Sequence, residues 1–190
     1  MAVCAISRFI SGMQEPQLVP ALSFAPISAG VTAPAAIASQ MVAQLVAIPV
    51  PVVAAINGDA LGGGFVLMLA CDYRIATDIA AAKLGLTEAQ AGIPFPAGPL
   101  EVMRHELAPE LLRRLTLTSA VLTTRELFEA RVIDALCPSE DVKSRAPAMA
   151  KQLAAQPAFG AVKRQIRGRL ADRLAELAST GEEPFLDAFA

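Results

Sequence analysis

The stretch VPVVAAINGDALGGGFVLMLACDYRIA, residues 50–76, decides how the rest of the chain is read. Val50 to Ile56 is a short apolar run rich in β-branched residues, closed by Asn57-Gly58. That is the pattern of a strand covered on both faces, as in a parallel sheet. Gly62-Gly63-Gly64 follows and opens Phe65 to Cys71, which reads as a buried helix. Tyr73 to Ala76 reads as a second strand and Leu84 to Leu86 as a third. The glycine turn has two readings from the residues alone. It is a tight packing turn between strand and helix, or a site where the N–H donors of a helix N-terminus meet an anion or oxyanion. The G-x-G-x-x-G register of a dinucleotide site is absent, and no Gly-Lys-Ser/Thr follows to make a phosphate-binding loop.

Working outward, Ala35 to Val46 has the composition of a short helix of small apolar residues. Residues 1–27, with Pro16, Pro20 and Pro26, hold no sustained period and are expected to contain one short strand. Gly92 to Pro99 carries three prolines and two glycines and is expected to be a loop. Leu100 to Leu107 and Pro109 to Leu117 show helical spacing, with Leu111, Leu112 and Leu115 on one side. Thr124 is the expected N-cap of a helix over Arg125 to Ala130, followed by a strand over Val132 to Leu136. From Ser139 to Leu177 the chain reads as helical with a break near Pro157. Strands alternating with helices imply an α/β architecture, divided into a core over residues 1–138 and a C-terminal helical region over 139–190.

Composition bounds the function. With 190 residues the chain is long enough for a substantial core. Sixteen Lys+Arg against eighteen Asp+Glu give a net charge of −2, without the basic footprint that nucleic-acid binding needs. Mean hydropathy is +0.49, yet the apolar region from Met41 to Cys71 is broken by Gln44, Pro49, Pro51, Asn57 and Asp59. No uninterrupted run reaches the ~18–20 residues of a spanning helix. No basic segment precedes an apolar stretch at the N-terminus, which reads against a signal peptide. The three cysteines, Cys4, Cys71 and Cys137, are widely spaced and odd in number, which fits free thiols and a cytoplasmic setting. With one histidine and no CxxC pair, no metal site is expected.

Residues 50–76, then Leu84-Gly85-Leu86-Thr87-Glu88, Ala91-Gly92-Ile93-Pro94, Arg113 to Thr118 and Val132-Ile133-Asp134 together resemble the crotonase superfamily of enoyl-CoA hydratases and isomerases. The resemblance runs over residues 48 to 170. It implies a ββα spiral with a C-terminal helical arm, and binding of an acyl-CoA thioester. Coenzyme A is then part of the substrate, and no other cofactor is expected. Assembly as a homo-oligomer, a trimer or hexamer, is implied as well. Measured against the family, the chain before Ile48 and the C-terminal arm are short.

The family holds the thioester carbonyl between two backbone N–H groups, and the resemblance carries these roles to Gly63 and, in Ile27-Ser28-Ala29-Gly30, to Ala29. Hydratases use two carboxylates; at the first position this chain has Val66, at the second Glu88. That pattern is closest to the Δ3,Δ2-enoyl-CoA isomerase branch. The expected site is Glu88 as the base, Gly63 and Ala29 as carbonyl donors, and Val66, Gly62 and Pro94 at the substrate. Enoyl-CoA isomerisation is the leading function. The alternatives are enoyl-CoA hydration, a lyase reaction, and a catalytically silent paralogue that only packs with other subunits.

Other candidates read as structural. His105, between Arg104 and Glu106, is expected on the surface, and Cys71 is expected as an inert core thiol. Ser28 is near no histidine that could complete a triad. Lys163, Arg164, Arg167, Arg169 and Arg173 form a basic stretch, each read as part of a solvated face rather than a CoA-phosphate contact. Arg131 stands where the family has a glycine.

Overall fold

In the computed structural model, residues 4–8, 17–19 and 32–183 are described. In chain order they form β1 (Cys4–Arg8), β2 (Gln17–Val19), α1 (Thr32–Ala47), β3 (Val52–Ile56), β4 (Ala60–Leu61), α2 (Gly63–Ala70), β5 (Tyr73–Thr77), β6 (Leu84–Gly85), α3 (Glu88–Ala91), α4 (Ala97–Glu106), α5 (Pro109–Leu117), β7 (Val121–Leu122), α6 (Thr124–Glu129), β8 (Ala135–Cys137), α7 (Val142–Ala154) and α8 (Phe159–Thr180).

Five strands make one sheet in the order β2-β1-β3-β5-β8; β3, β5 and β8 run parallel, and β1 is antiparallel to β2 and β3. Every residue of β3 is buried. Val52, Ala54 and Ile56 face the main core with α1, α2, α4 and α8, while Val53 and Ala55 face α7 through Val142, Ala146 and Ala150. The unbroken apolar run is therefore explained by helices on both faces. A second sheet, β4-β6-β7, pairs Leu61 with Gly85 and Gly85 with Val121. Gly85 is needed there, because a Cβ on it would lie 2.5 Å from the carbonyl oxygen of Ala120.

Four sequence expectations shift, each for a local reason. Two strands, β1 and β2, precede α1 where one was expected. Helix α4 begins inside the expected loop, at Ala97. Pro99 is tolerated in its first turn, where a missing N–H breaks no intrahelical bond. The neighbouring donors find distant acceptors: Ala97 N–H donates to Glu183 Oε2 at 2.7 Å and Gly98 N–H to Ser39 Oγ at 3.1 Å. Helix α6 is capped by Thr123 rather than Thr124. Thr123 Oγ1 accepts from Glu126 N–H and the Glu126 carboxylate accepts from Thr123 N–H, a reciprocal box that Thr124, with Leu127 three residues on, cannot form.

The strand after α6 begins at Ala135 rather than Val132. Arg131 is left-handed at φ 58°; its N–H donates to Phe128 O and that of Val132 to Leu127 O. This Schellman closure uses the amides of Val132 and Ile133, so the ladder with β5 starts later. A side chain in that left-handed conformation costs about 1–2 kcal/mol, which a glycine would avoid.

Gly98 sits against α1. A Cβ there would lie 2.8 Å from Ser39 Cα and 2.9 Å from Ser39 Oγ, in a buried contact. The Gly98→Ala variant is expected to lose about 1–3 kcal/mol through overpacking against helix backbone. A urea titration with an unchanged m-value and a lower midpoint checks this.

Candidate functional site

The glycine turn becomes a site through the pairing of two short strands. Gly62 N–H donates to Gly85 O at 2.9 Å, which extends the β4–β6 ladder and runs residues 85–88 alongside the start of α2. Gly62 is the N-cap of α2 at φ 54°, a conformation open to glycine at little cost. A Cβ on Gly62 would lie 3.0 Å from Glu88 Oε1. The positive φ and the absent side chain thus leave the place that the Glu88 carboxylate fills. Gly63, the next residue and the first of α2, is exposed. Amides of the first helical turn lack intrahelical acceptors. Among the described residues none accepts from Gly63 N–H.

Glu88 is only partly exposed, and its Oε2 is sealed from solvent without a hydrogen-bond partner among the described residues. Burial pushes its pKa above the usual carboxylate value, only partly offset by the backbone N–H groups of Glu88 and Thr87. A carboxylate that is poorly solvated and lacks strong partners is one that can take a proton. Glu88 starts α3, whose C-terminus is closed by Gly92 at φ 70° and by the Ile93 N–H donating to Glu88 O at 3.0 Å.

The other expected residues lie as follows. Val66, one turn into α2, is 2% exposed and packed in the main core. Pro94 lies beyond α3 and lines a cavity of about 630 Å³ with Ala89, Ile93, Leu112 and Leu117; Glu88 and Gly62 do not line it. Ala29, with Ser28, lies outside the described residues. Among the described residues, no group of three His, Cys, Asp or Glu side chains could hold a metal, and no helix is long and apolar enough to cross a membrane. His105 is exposed, with Nδ1 3.0 Å from Glu106 Oε1; Cys71 is buried and its Sγ donates to Leu67 O.

At the opposite end of α2 the structure assembles a charged cluster that sequence reading missed. Lys163 and Arg167, read as part of a solvated face, are both buried. Lys163 Nζ lies 2.6 Å from Asp72 Oδ2; Arg167 reaches Asp72 at 3.3 Å and Glu106 at 2.5 Å; Arg74 reaches Glu106 at 2.7 Å. Arg164, Arg169 and Arg173 are exposed, as expected of a polar face. The signal was present: Lys163 and Arg167 continue the buried stripe Leu170, Leu174 and Leu177 at helical spacing. A charge on such a stripe calls for buried counter-charges, and Asp72 and Glu106 supply them. Burial lowers the Lys163 pKa despite Asp72, whereas Arg167 and Arg74 overcome burial at Glu106 and hold its pKa below the usual range.

Comparison with known proteins adds the family. A model of the enoyl-CoA hydratase/isomerase family matches residues 32–189, most of the chain. Among solved structures, an enoyl-CoA hydratase/isomerase family protein from Pseudomonas syringae is 23% identical, with a TM-score of 0.71 over 80% of this chain and 68% of its own. An enoyl-CoA isomerase from Mycobacterium tuberculosis is 24% identical, with a TM-score of 0.72 over 79% of this chain and 66% of its own. An enoyl-CoA hydratase from Bacillus anthracis is 28% identical, with a TM-score of 0.65 over 80% of this chain and 61% of its own. The first two likenesses are of fold alone: this chain shares the mixed α/β fold of those proteins. It spans about two thirds of the length of these proteins.

Proposed function

We propose, from the premise that this chain belongs to the enoyl-CoA hydratase/isomerase family, that it binds an acyl-CoA thioester and moves a carbon–carbon double bond between C3 and C2. The observation that carries the reading is the Glu88 carboxylate lying over Gly62 at the start of α2. Isomerisation removes a proton at C2 and delivers one at C4. One carboxylate over that face does both in turn, as base and then as acid. Between the two steps the thioester oxygen carries enolate charge. The Gly63 N–H stabilises it at the positive end of a buried helix, with Ala29 assigned as the second donor.

Hydration instead holds and activates a water between two carboxylates, and at the first of those positions the chain has the apolar Val66. Isomerisation is therefore the favoured activity. Coenzyme A arrives with the substrate, and the proposed chemistry calls on no further cofactor. Assembly into a homo-oligomer belongs to the same reading; Leu117 and Ile166, 75% and 68% exposed, are apolar surface that subunit contact would cover.

Titration with a medium-chain acyl-CoA is expected to show saturable binding. Gly63→Pro removes the N–H at a helical position where proline is tolerated, and is expected to weaken binding of an enolate-mimicking CoA thioester by 10-fold or more, on the order of one lost charge-assisted hydrogen bond. No binding by the wild type at high micromolar ligand would refute the assignment.

A further inference from the structure

The two ends of α2 are held differently. At its N-terminus are glycines, which offer no side chain to anchor the turn. Its buried side chains, Phe65, Val66, Met68, Leu69 and Ala70, are all apolar, and such packing is non-directional. Directional bonds to side chains gather at the C-terminal end. Arg74 Nε donates to Met68 O at 2.9 Å, and its Nη2 to Leu69 O at 2.5 Å and Cys71 O at 3.2 Å. Arg167 Nη1 donates to Ala70 O at 2.7 Å, and its Nη2 to Cys71 O at 3.1 Å and Leu69 O at 3.4 Å. Four consecutive carbonyls thus each accept from a guanidinium, where a helix end otherwise leaves acceptors unmet. Asp72 and Glu106 hold the Arg167 guanidinium in turn. The two guanidinium groups thus place positive charge on the last carbonyls of the helix, the favourable sign for the helix dipole.

We propose that Arg167, reaching in from α8, is a positioning residue for the carbonyl-binding turn: by gripping the last carbonyls of α2 it sets the axial place of the helix whose first amide is that of Gly63. The proposal rests on the acyl-CoA reading above. With eight residues, α2 is about 12 Å long and rigid over that length, so a shift at Cys71 is passed to Gly63. A misplacement of ~1 Å at a reacting group costs on the order of 10²-fold in rate. A lysine keeps the charge of Arg167 but lacks the planar fork that reaches several acceptors at once.

The experiment compares wild type, Arg167→Lys and Glu88→Gln, each verified as folded by its thermal transition. Two quantities are read: steady-state turnover of a medium-chain 3-enoyl-CoA, and the infrared stretch of the thioester carbonyl in bound acyl-CoA, which falls in frequency as donors polarise it. In wild type the stretch is expected to move to lower frequency on binding. Arg167→Lys is expected to lose part of that shift, with kcat down about 10- to 100-fold and KM within roughly threefold. Glu88→Gln is expected to keep the full shift while losing turnover. A folded Arg167→Lys protein with a wild-type carbonyl shift and kcat overturns the positioning role alone. A wild-type protein that binds acyl-CoA with no carbonyl shift overturns the carbonyl-donor reading, and the positioning role with it.

Discussion

Glu88→Gln is expected to lower kcat for 3-enoyl-CoA isomerisation by about 10²–10⁴-fold with little change in substrate binding. Glutamine keeps the size and polarity of the side chain beside Gly62 but cannot take a proton. Unchanged turnover would show that the base is elsewhere. The environment of Glu88 adds a pH signature. Its carboxyl is displaced upward from 4.5 by burial, so the rate, which needs the ionised base, should rise with pH through a value above 4.5. The same displacement bears on stability with a fixed sign. A group whose folded pKa is raised favours the folded state below its unfolded pKa, and that contribution is lost as pH rises through the folded value. Once ionised, Glu88 with its unpartnered Oε2 therefore opposes folding. Glu88→Gln should accordingly melt at or above the wild-type temperature at pH 7, with the advantage shrinking toward pH 4. Lost activity joined to undiminished stability would separate a chemical role from a structural one.

The second large effect concerns Glu106. Both Arg74 and Arg167 place a guanidinium nitrogen on its carboxylate, at 2.7 and 2.5 Å, with the side chain 12% exposed. Glu106→Leu leaves two buried cations facing each other without that counter-charge, and is expected to cost about 3–5 kcal/mol. Against a typical total of about 5–15 kcal/mol that is a large share, so the variant should unfold at much lower urea. Substituting Glu101, half-buried and paired with the exposed Arg104 one turn away, should move the midpoint far less. The pH dependence has the opposite sign to that of Glu88. Glu106 is held below its usual value of 4.5, burial being outweighed by Arg167 and Arg74. Its contribution is present above the unfolded pKa and is lost as pH falls through the folded one. The stability gap between wild type and Glu106→Leu should therefore be widest near neutral pH and narrow as pH falls. A wild-type urea midpoint in Glu106→Leu would contradict this account of the cluster.

The strand at Val52–Ile56, the glycine turn and the helix behind it were legible from residue order, because each is a local pattern: an apolar run, a breaker, a second apolar run. The Thr123–Glu126 capping box was equally local and could have been read one residue earlier than Thr124. The helical start at Ala97 could not. Its donors are met by Ser39 and Glu183, 59 and 86 residues away from the amides they serve. The late start of β8 was hidden for another reason, since Arg131 occupies a left-handed position that residue preference reserves for glycine.

The amino-acid sequence by itself determined the α/β class, the glycine turn at the head of an apolar helix and the choice of Glu88 as a candidate base, the last through family resemblance. Tertiary structure alone decided that Glu88 lies against Gly62, because that contact depends on Leu61 pairing with Gly85 across the intervening β5 excursion. It also chose the partners of Lys163 and Arg167: helical spacing places both on the buried stripe, but only folding brings Asp72 and Glu106 to meet their charges. Periodicity and turn chemistry act between near neighbours and so can be read along the chain. Strand pairing and charge neutralisation act between residues far apart in it, and only the folded arrangement chooses the partner.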